Sequence, residues 1–399
     1  MPSIRRRPVL ASAALAAVLA LTATACGPSD DNAAGSGTAS ASAGQGDRGA
    51  KSGDSGDFGF KLPKDLPTSL QDLDKWKNGA WKNWSKDDWL REARDFVNPI
   101  IKGHWKPETM KDAHTSDKTL GTKDFSGDQG VTDAEPRPVQ AKPVALPYTR
   151  NAAPVGKVFF DSPQGHMVCS ATVVKDPAHP GKSNLVWTAG HCVHSGKQGG
   201  WYRNIAFVPA YNNKGLPASR LNSAPVQDVA PYGMWWADWA QTSSQWISQG
   251  AETGGAGAPY DFSVLHVRQE NGTGKSLEET VGAALPVDFD APKVPEISSM
   301  GAWGYPAAPP FDGQKMYDCL DKPGRLTLRA QQPTMYRIGC TMTGGSSGGG
   351  WFAKGADGEL ALVSNTSIGP ATSTWLAGPR LGPEAKGVYD AISRKFANR

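Results

Sequence analysis

The sequence predicts an all-β domain over its last 250 or so residues, built as a sandwich or a pair of barrels. Gly (46) and Pro (31) are abundant among the 399 residues, which favours turn-rich β structure over helical bundles. From Val155 onward, short apolar runs are cut by Gly and Pro: Gly156–Phe160, Cys169–Val174, Leu185–Ala189, Phe262–Val267 and Leu360–Val363. Runs of this length and spacing read as strands. The stretch Gly382–Phe396 is the one place where a closing helix fits. A composition of 39% hydrophobic and 20% charged residues permits a sizeable core and excludes wholesale disorder.

The elements before this domain follow in chain order. Arg5-Arg6-Arg7 precedes an apolar Ala/Leu run from Val9 to Ala25, the layout of an export signal over residues 1–25. The alternative, an uncleaved anchor, needs a longer span than this mostly Ala run offers. Cys26 directly follows Ala23-Thr24-Ala25 and resembles the lipobox of bacterial lipoproteins, in which that Cys becomes the lipidated N-terminus. Ala23 stands where that box usually has Leu, so plain cleavage is the competing expectation. Removing residues 1–25 takes away three Arg and no acid, so the net charge falls from +4 to +1. A nucleic-acid partner inferred from basicity is thereby excluded. The tether, residues 26–57, is nearly all Gly, Ser, Ala and Asp and would span roughly 30 Å as a random coil.

Residues 58–120 form a Trp/Lys-rich segment, in which Trp76, Trp81, Trp84 and Trp89 alternate with Lys75, Lys77, Lys82 and Lys86. Helical spacing fits in pieces, predicting short amphipathic helices that serve as a packing module, a propeptide or a membrane-surface segment. Four Pro in residues 121–147 mark a stiffer linker, followed by the domain at 148–399.

Three local signals carry chemistry. Thr188-Ala189-Gly190-His191-Cys192 ends an apolar strand, Asp261 opens another, and Gly344-Gly345-Ser346-Ser347-Gly348-Gly349-Gly350 is a Gly-rich turn around two Ser. A Ser hydroxyl needs a His to take its proton, and the His needs a buried carboxylate to fix its tautomer. Glycines let backbone N–H groups point at a developing oxyanion. The same segment satisfies G-x-S-x-G, but no His follows His266, so the Ser, Asp, His order of α/β-hydrolases is excluded. The order Asp, His, Ser stays open through Asp161 and Asp176, although that architecture wants alternating helices and strands.

On these motifs, residues 155–399 resemble the chymotrypsin-like (trypsin-like) serine peptidases, in the secreted bacterial branch that includes the glutamyl endopeptidases. The resemblance implies two antiparallel six-stranded β-barrels with the active site between them and a C-terminal helix. It implies His191 as general base, Asp261 as its orienting acid and Ser347 as nucleophile, with Ser346 the rival hydroxyl. The N–H groups of Gly345 and Ser347 become the oxyanion hole. It pairs Cys169 with Cys192 and Cys319 with Cys340, leaving Cys26 for lipid. The rival use of His166, Cys169, His191, Cys192 and His194 as zinc ligands conflicts with an exported, disulfide-forming chain. Thr341, together with Ser364, Asn365 and Thr366, is expected to line the substrate pocket. A neutral Thr341 argues against Arg/Lys specificity. Ser346 stands where trypsin-type zymogens carry an Asp, which removes activation through a newly cut N-terminus.

The expected protein is a monomeric, exported serine endopeptidase with a polypeptide substrate and no cofactor or metal, held at the membrane through Cys26. The alternative is an inactive peptidase-fold binding protein of the cell envelope. The Trp201–Trp246 stretch is expected to pack an insertion on the barrel.

Overall fold

A computed structural model describes residues 96–116, 118–120, 130–272, 274–355 and 357–399. The export signal, Cys26, the tether and the four Trp of 76–89 lie outside these residues. Among the described residues, no helix is long and apolar enough to cross a membrane.

The first half of the domain is a closed barrel. Strands β4 (Val155–Ser162), β5 (Gly165–Val174), β6 (Leu185–Thr188), β7 (Arg203–Pro209), β8 (Trp235–Thr242) and β9 (Ser263–Gln269) pair antiparallel in the order β5-β4-β7-β8-β9-β6, and β5–β6 pairing closes the ring. Closure removes the exposed edges that a flat sheet would present. Inward residues such as Val158, Phe160, Val173, Val186, Phe207 and Leu265 are fully buried in one core cluster. The Trp-rich stretch contributes two barrel strands, β7 and β8, joined by a long connection. Trp235 and Trp236 lie in β8, and Trp246 in the following helix Ser244–Gln249 is fully buried.

The second half is assembled from two antiparallel sheets. One runs β15 (Leu360–Asn365), β14 (Gly350–Lys354), β10 (Met300–Gly304), β11 (Tyr317–Asp321) and β3 (Lys142–Pro143); the other runs β12 (Gly324–Leu326), β13 (Met335–Gly339) and β17 (Trp375–Gly378). The expected β architecture with a C-terminal helix is therefore observed, with one closed six-stranded barrel and, in place of a second six-stranded barrel, a region of five- and three-stranded sheets. The C-terminal helix Pro383–Phe396 starts with Pro at its first position, where the missing N–H costs nothing. It lays Val388, Tyr389, Ile392 and Phe396 against the first barrel, and Phe396 stacks on His266 at 3.6 Å between ring centroids. His266 also meets Asp238 at 2.6 Å, so its role is packing.

The Pro-rich stretch is packed from Gly130 onward. Asp133 holds Arg325 through paired N–H···O contacts, and Lys142–Pro143 adds an edge strand to β11. Among the described residues upstream of Gly130, helix is confined to the single turn Pro107–Lys111, which Pro107 opens at its first position. The rest of the described residues between 96 and 120 is largely extended, with two short strands, β1 (His114–Thr115) and β2 (Thr119–Leu120). Trp105 in this segment is buried and donates its indole N–H to the Asn204 carbonyl at 2.6 Å.

Lys157 of β4 is buried, with Nζ 2.9 Å from the Gly313 carbonyl of the second half and 4.6 Å from the Tyr211 ring centroid. Burial lowers its ammonium from 10.5 to about 7. Between those values the unfolded chain holds a proton that the folded chain has released. Stability therefore rises with pH from 7 towards 10.5, by at most about 1.4 kcal/mol per pH unit. Urea denaturation at pH 7 and pH 9.5 should show that rise in wild type and a flatter one in Lys157→Met; equal rises would mean that the lysine stays charged when buried.

Candidate active site

His191 sits on the one-turn helix Gly190–Cys192 that follows β6 directly. The turn can press against Trp246 only because residue 190 lacks a side chain: a Cβ there would lie 2.9 Å from the indole and 2.7 Å from Thr242 Oγ1. Asp261 follows the turn Gly255–Tyr260 and closely precedes β9. Because β6 and β9 are paired, with Thr188 opposite Ser263, the two residues emerge from the same barrel end.

Asp261 is fully buried, and its carboxylate is saturated with donors. Oδ1 accepts the His191 backbone N–H at 2.8 Å, and Oδ2 lies 2.6 Å from His191 Nδ1 and 2.6 Å from Ser367 Oγ. An ionised carboxylate only accepts, so Nδ1 carries the proton and Nε2 is left with a lone pair. Nε2 is buried and has no hydrogen-bond partner among the described residues. Asn365 adds a donor to the Asp261 backbone carbonyl at 3.0 Å while accepting from Trp187 Nε1.

The Gly-rich loop abuts this pair. The Ser347 carbonyl accepts from Ser170 N–H at 2.7 Å, and Gly348, at φ +77°, leaves no room for a Cβ beside Ala189 N (2.8 Å) and Thr188 Oγ1 (2.1 Å). The Ser347 loop thus rests on the two residues that lead into the His191 turn. Gly345 has φ +90°, and a Cβ there would sit 2.7 Å from the Tyr305 carbonyl. The Gly344 carbonyl accepts from the N–H groups of Ala307 and Ala308, which turns the N–H of Gly345, on the other side of that planar peptide, away from them. Ser346 and Ser347 differ in employment. Ser346 donates its hydroxyl to the Thr343 carbonyl at 2.7 Å and so fastens the turn.

Both expected disulfides are present, Cys169–Cys192 beside His191 and Cys319–Cys340 ahead of the loop. With their sulfurs bonded to each other, Cys169 and Cys192 offer no thiolates to a metal. His194 is buried, which lowers its pKa to about 4, and its Nδ1 accepts the Gly196 N–H.

The expected pocket lining needs correction. The cleft beside Ser347 is lined by Met342, Thr343, Thr366, Ser367, Ile368 and Leu376 among others. Thr341 is turned the other way, its hydroxyl accepting Ala141 N–H and its N–H donating to Val139. Ser364 and Asn365 are buried in β15, with Asn365 committed to Asp261 and Trp187. The lining begins at Thr366 rather than Ser364, because β15 runs on to Asn365 and the cleft wall is built from Thr366 to Pro370 beyond its end. Ser367 escapes sequence reasoning: in the run Ser364-Asn365-Thr366-Ser367 nothing local marks the hydroxyl that reaches Asp261.

Among solved structures, a thermostable serine protease, AL20, from an extremophilic microorganism is 31% identical, with 61% of this chain and 98% of that one covered and a TM-score of 0.49. The protease Anisep from Arthrobacter nicotinovorans is 28% identical over 63% of this chain and 99% of its own, with a TM-score of 0.50. The fold is that of the chymotrypsin-like serine proteases. A Glu endopeptidase with a TM-score of 0.44 shares 15% identity. No family model matches the chain, and no curated protein does. In this chymotrypsin-like fold His191 and Asp261 come from the first barrel, and Ser347 and Ser367 from the second half.

Gly348→Ala tests how the loop seats. Its Cβ would meet backbone and hydroxyl atoms at a positive φ, so a loss well above about 1 kcal/mol is expected in urea denaturation. A loss within experimental error would show that the loop does not need this close approach.

Proposed function

We propose that the protein is a serine endopeptidase of the cell envelope. The observation that carries the reading is the Ser367–Asp261–His191 relay, all hydrogen-bonded and fully or almost fully buried, with His191 Nε2 left without a partner among the described residues and the Ser347 loop resting on Thr188 and Ala189 just ahead of it. Such a relay holds the imidazole in the tautomer that can accept the Ser347 proton as its oxygen attacks the scissile carbonyl. Asp261 stabilises the imidazolium that results, and the N–H groups of Gly345 and Ser347 receive the oxyanion. The imidazolium then protonates the leaving amine, and water hydrolyses the acyl-enzyme by the same steps. Polypeptide is the substrate class. Met342, Ile368 and Leu376 around the pocket favour a small or apolar side chain next to the cut bond.

A fluorophosphonate probe tests the nucleophile. Labelling is expected in wild type and in Ser346→Ala, lost in Ser347→Ala, and slowed by roughly 10⁴-fold in Asp261→Asn. Label retained in Ser347→Ala would sink the reading.

Export with lipidation at Cys26, on the outer face of the cytoplasmic membrane, belongs to the same proposal and rests on the signal-like N-terminus. Cys26→Ala should move the protein from the membrane fraction to the medium; unchanged membrane retention would refute the anchor.

A further inference from the structure

The segment upstream of the barrels crosses the candidate active site from one half of the domain to the other. Its first part is knitted into the first barrel. Asn98 bridges two strands, donating to the carbonyls of Ile205 (2.9 Å) and Ala237 (2.7 Å) and accepting the Ile205 N–H (2.8 Å). His104 meets the buried Asp161 carboxylate at 2.8 Å, alongside His166 and Asn204. Burial alone would raise the Asp161 pKa, yet the His104 and His166 hydrogen bonds hold it below the usual carboxylate value. These three hydrogen bonds tie the segment to the first barrel, so the cluster acts as an anchor for it.

Beyond the anchor the chain turns across the cleft. β1 adds in parallel to Met167–Val168 of β5, and Ser116 Oγ lies 3.4 Å from Cys169 Sγ, in the disulfide beside His191. Lys118 and Thr119 then line the same cleft as Ser347. β2 pairs in parallel with β16 (Gly369–Pro370), shortly after Ser367, and the Gly369 N–H donates to the Lys118 carbonyl. Leu120 ends the crossing, buried with Ile368, Trp375 and Met335 in a satellite core of the second half. The cleft retains about 220 Å³, below the roughly 300–1,000 Å³ of ordinary ligand sites. His191 is 0% exposed.

We propose that Lys118, Thr119 and Leu120 occupy in cis the Gly369–Pro370 edge on which the peptidase reading would seat substrate backbone, and that the described form is latent. An incoming substrate and this segment compete for the same backbone edge, as in recognition by strand addition. The inference rests on the peptidase reading for its consequence, but the occupancy itself does not depend on catalysis. Latency follows from mass action: an in-chain ligand has a high effective concentration, so only the small fraction with the segment displaced reacts.

The test uses the full-length chain and two variants, Leu120→Asp, which removes the buried apolar anchor, and Thr119→Pro, at an exposed position where loss of folding is not expected. Two readouts separate the claims. The first is the second-order rate of fluorophosphonate labelling, expected to rise at least tenfold in both variants. The second is hydrogen exchange of the Gly369 amide, which donates to the Lys118 carbonyl, expected to be slow in wild type and faster in the variants; the Ser367 and Ile368 amides, which donate to Ala377, serve as the unchanged control. Unchanged labelling together with unchanged exchange would overturn the proposal while leaving the peptidase reading intact. Faster exchange with no labelling in any protein would sink the peptidase reading and support occupancy alone. Exchange that is fast in wild type already would overturn the occupancy.

Discussion

A carboxylate taken fully out of water must be met by donors, and Asp261 is where this domain meets that demand. Two donors come from His191, on the first barrel, and one from Ser367, on the second half. Leaving any of these out would remove one hydrogen bond to a buried charge, which costs about 1.5–3 kcal/mol. The two halves are therefore locked in register by the same contacts that orient the imidazole. The Trp187–Asn365–Asp261 chain extends this lock deeper into the interface. Stability and imidazole geometry share one set of hydrogen bonds.

Much of this is legible in sequence because it is written in local patterns. His191 and Ser347 sit in turns whose glycines have no substitute, and the structure shows the clashes that a Cβ would bring at 190, 345 and 348. Asp261, an acid at the mouth of an apolar strand, is a weak signal by itself and is picked out through the family resemblance that the His191 and Ser347 motifs carry. The cysteines sort themselves by compartment and number. The hidden remainder depends on pairing between distant segments. Ser367 is one hydroxyl among four polar residues, and its partner lies 106 positions away. Trp235 and Trp236 read as an insertion because large aromatics mark strand and loop alike, whereas only the β7–β8–β9 register shows them to be barrel wall. Thr341 is singled out by counting back from Ser347, and counting cannot see which way a side chain turns.

The upstream segment illustrates a general tension in β proteins. An unpaired strand edge beside a binding cleft is both the site of recognition and a liability for unwanted pairing. Here β1 covers part of the β5 edge and β2 covers the 369–370 edge. The same backbone groups that would recognise a substrate are satisfied within the chain.

The Gly344 carbonyl is held by two backbone donors, from Ala307 and Ala308, and Ser346 ties the turn through Thr343. The loop is thus complete from within and waits for no new chain end to finish it. A protein that matures by a cut can be turned on only once, because the cut cannot be mended. Under the latency proposed above, a protein whose loop is already formed and whose cleft is merely covered would cycle between covered and uncovered states and return to rest.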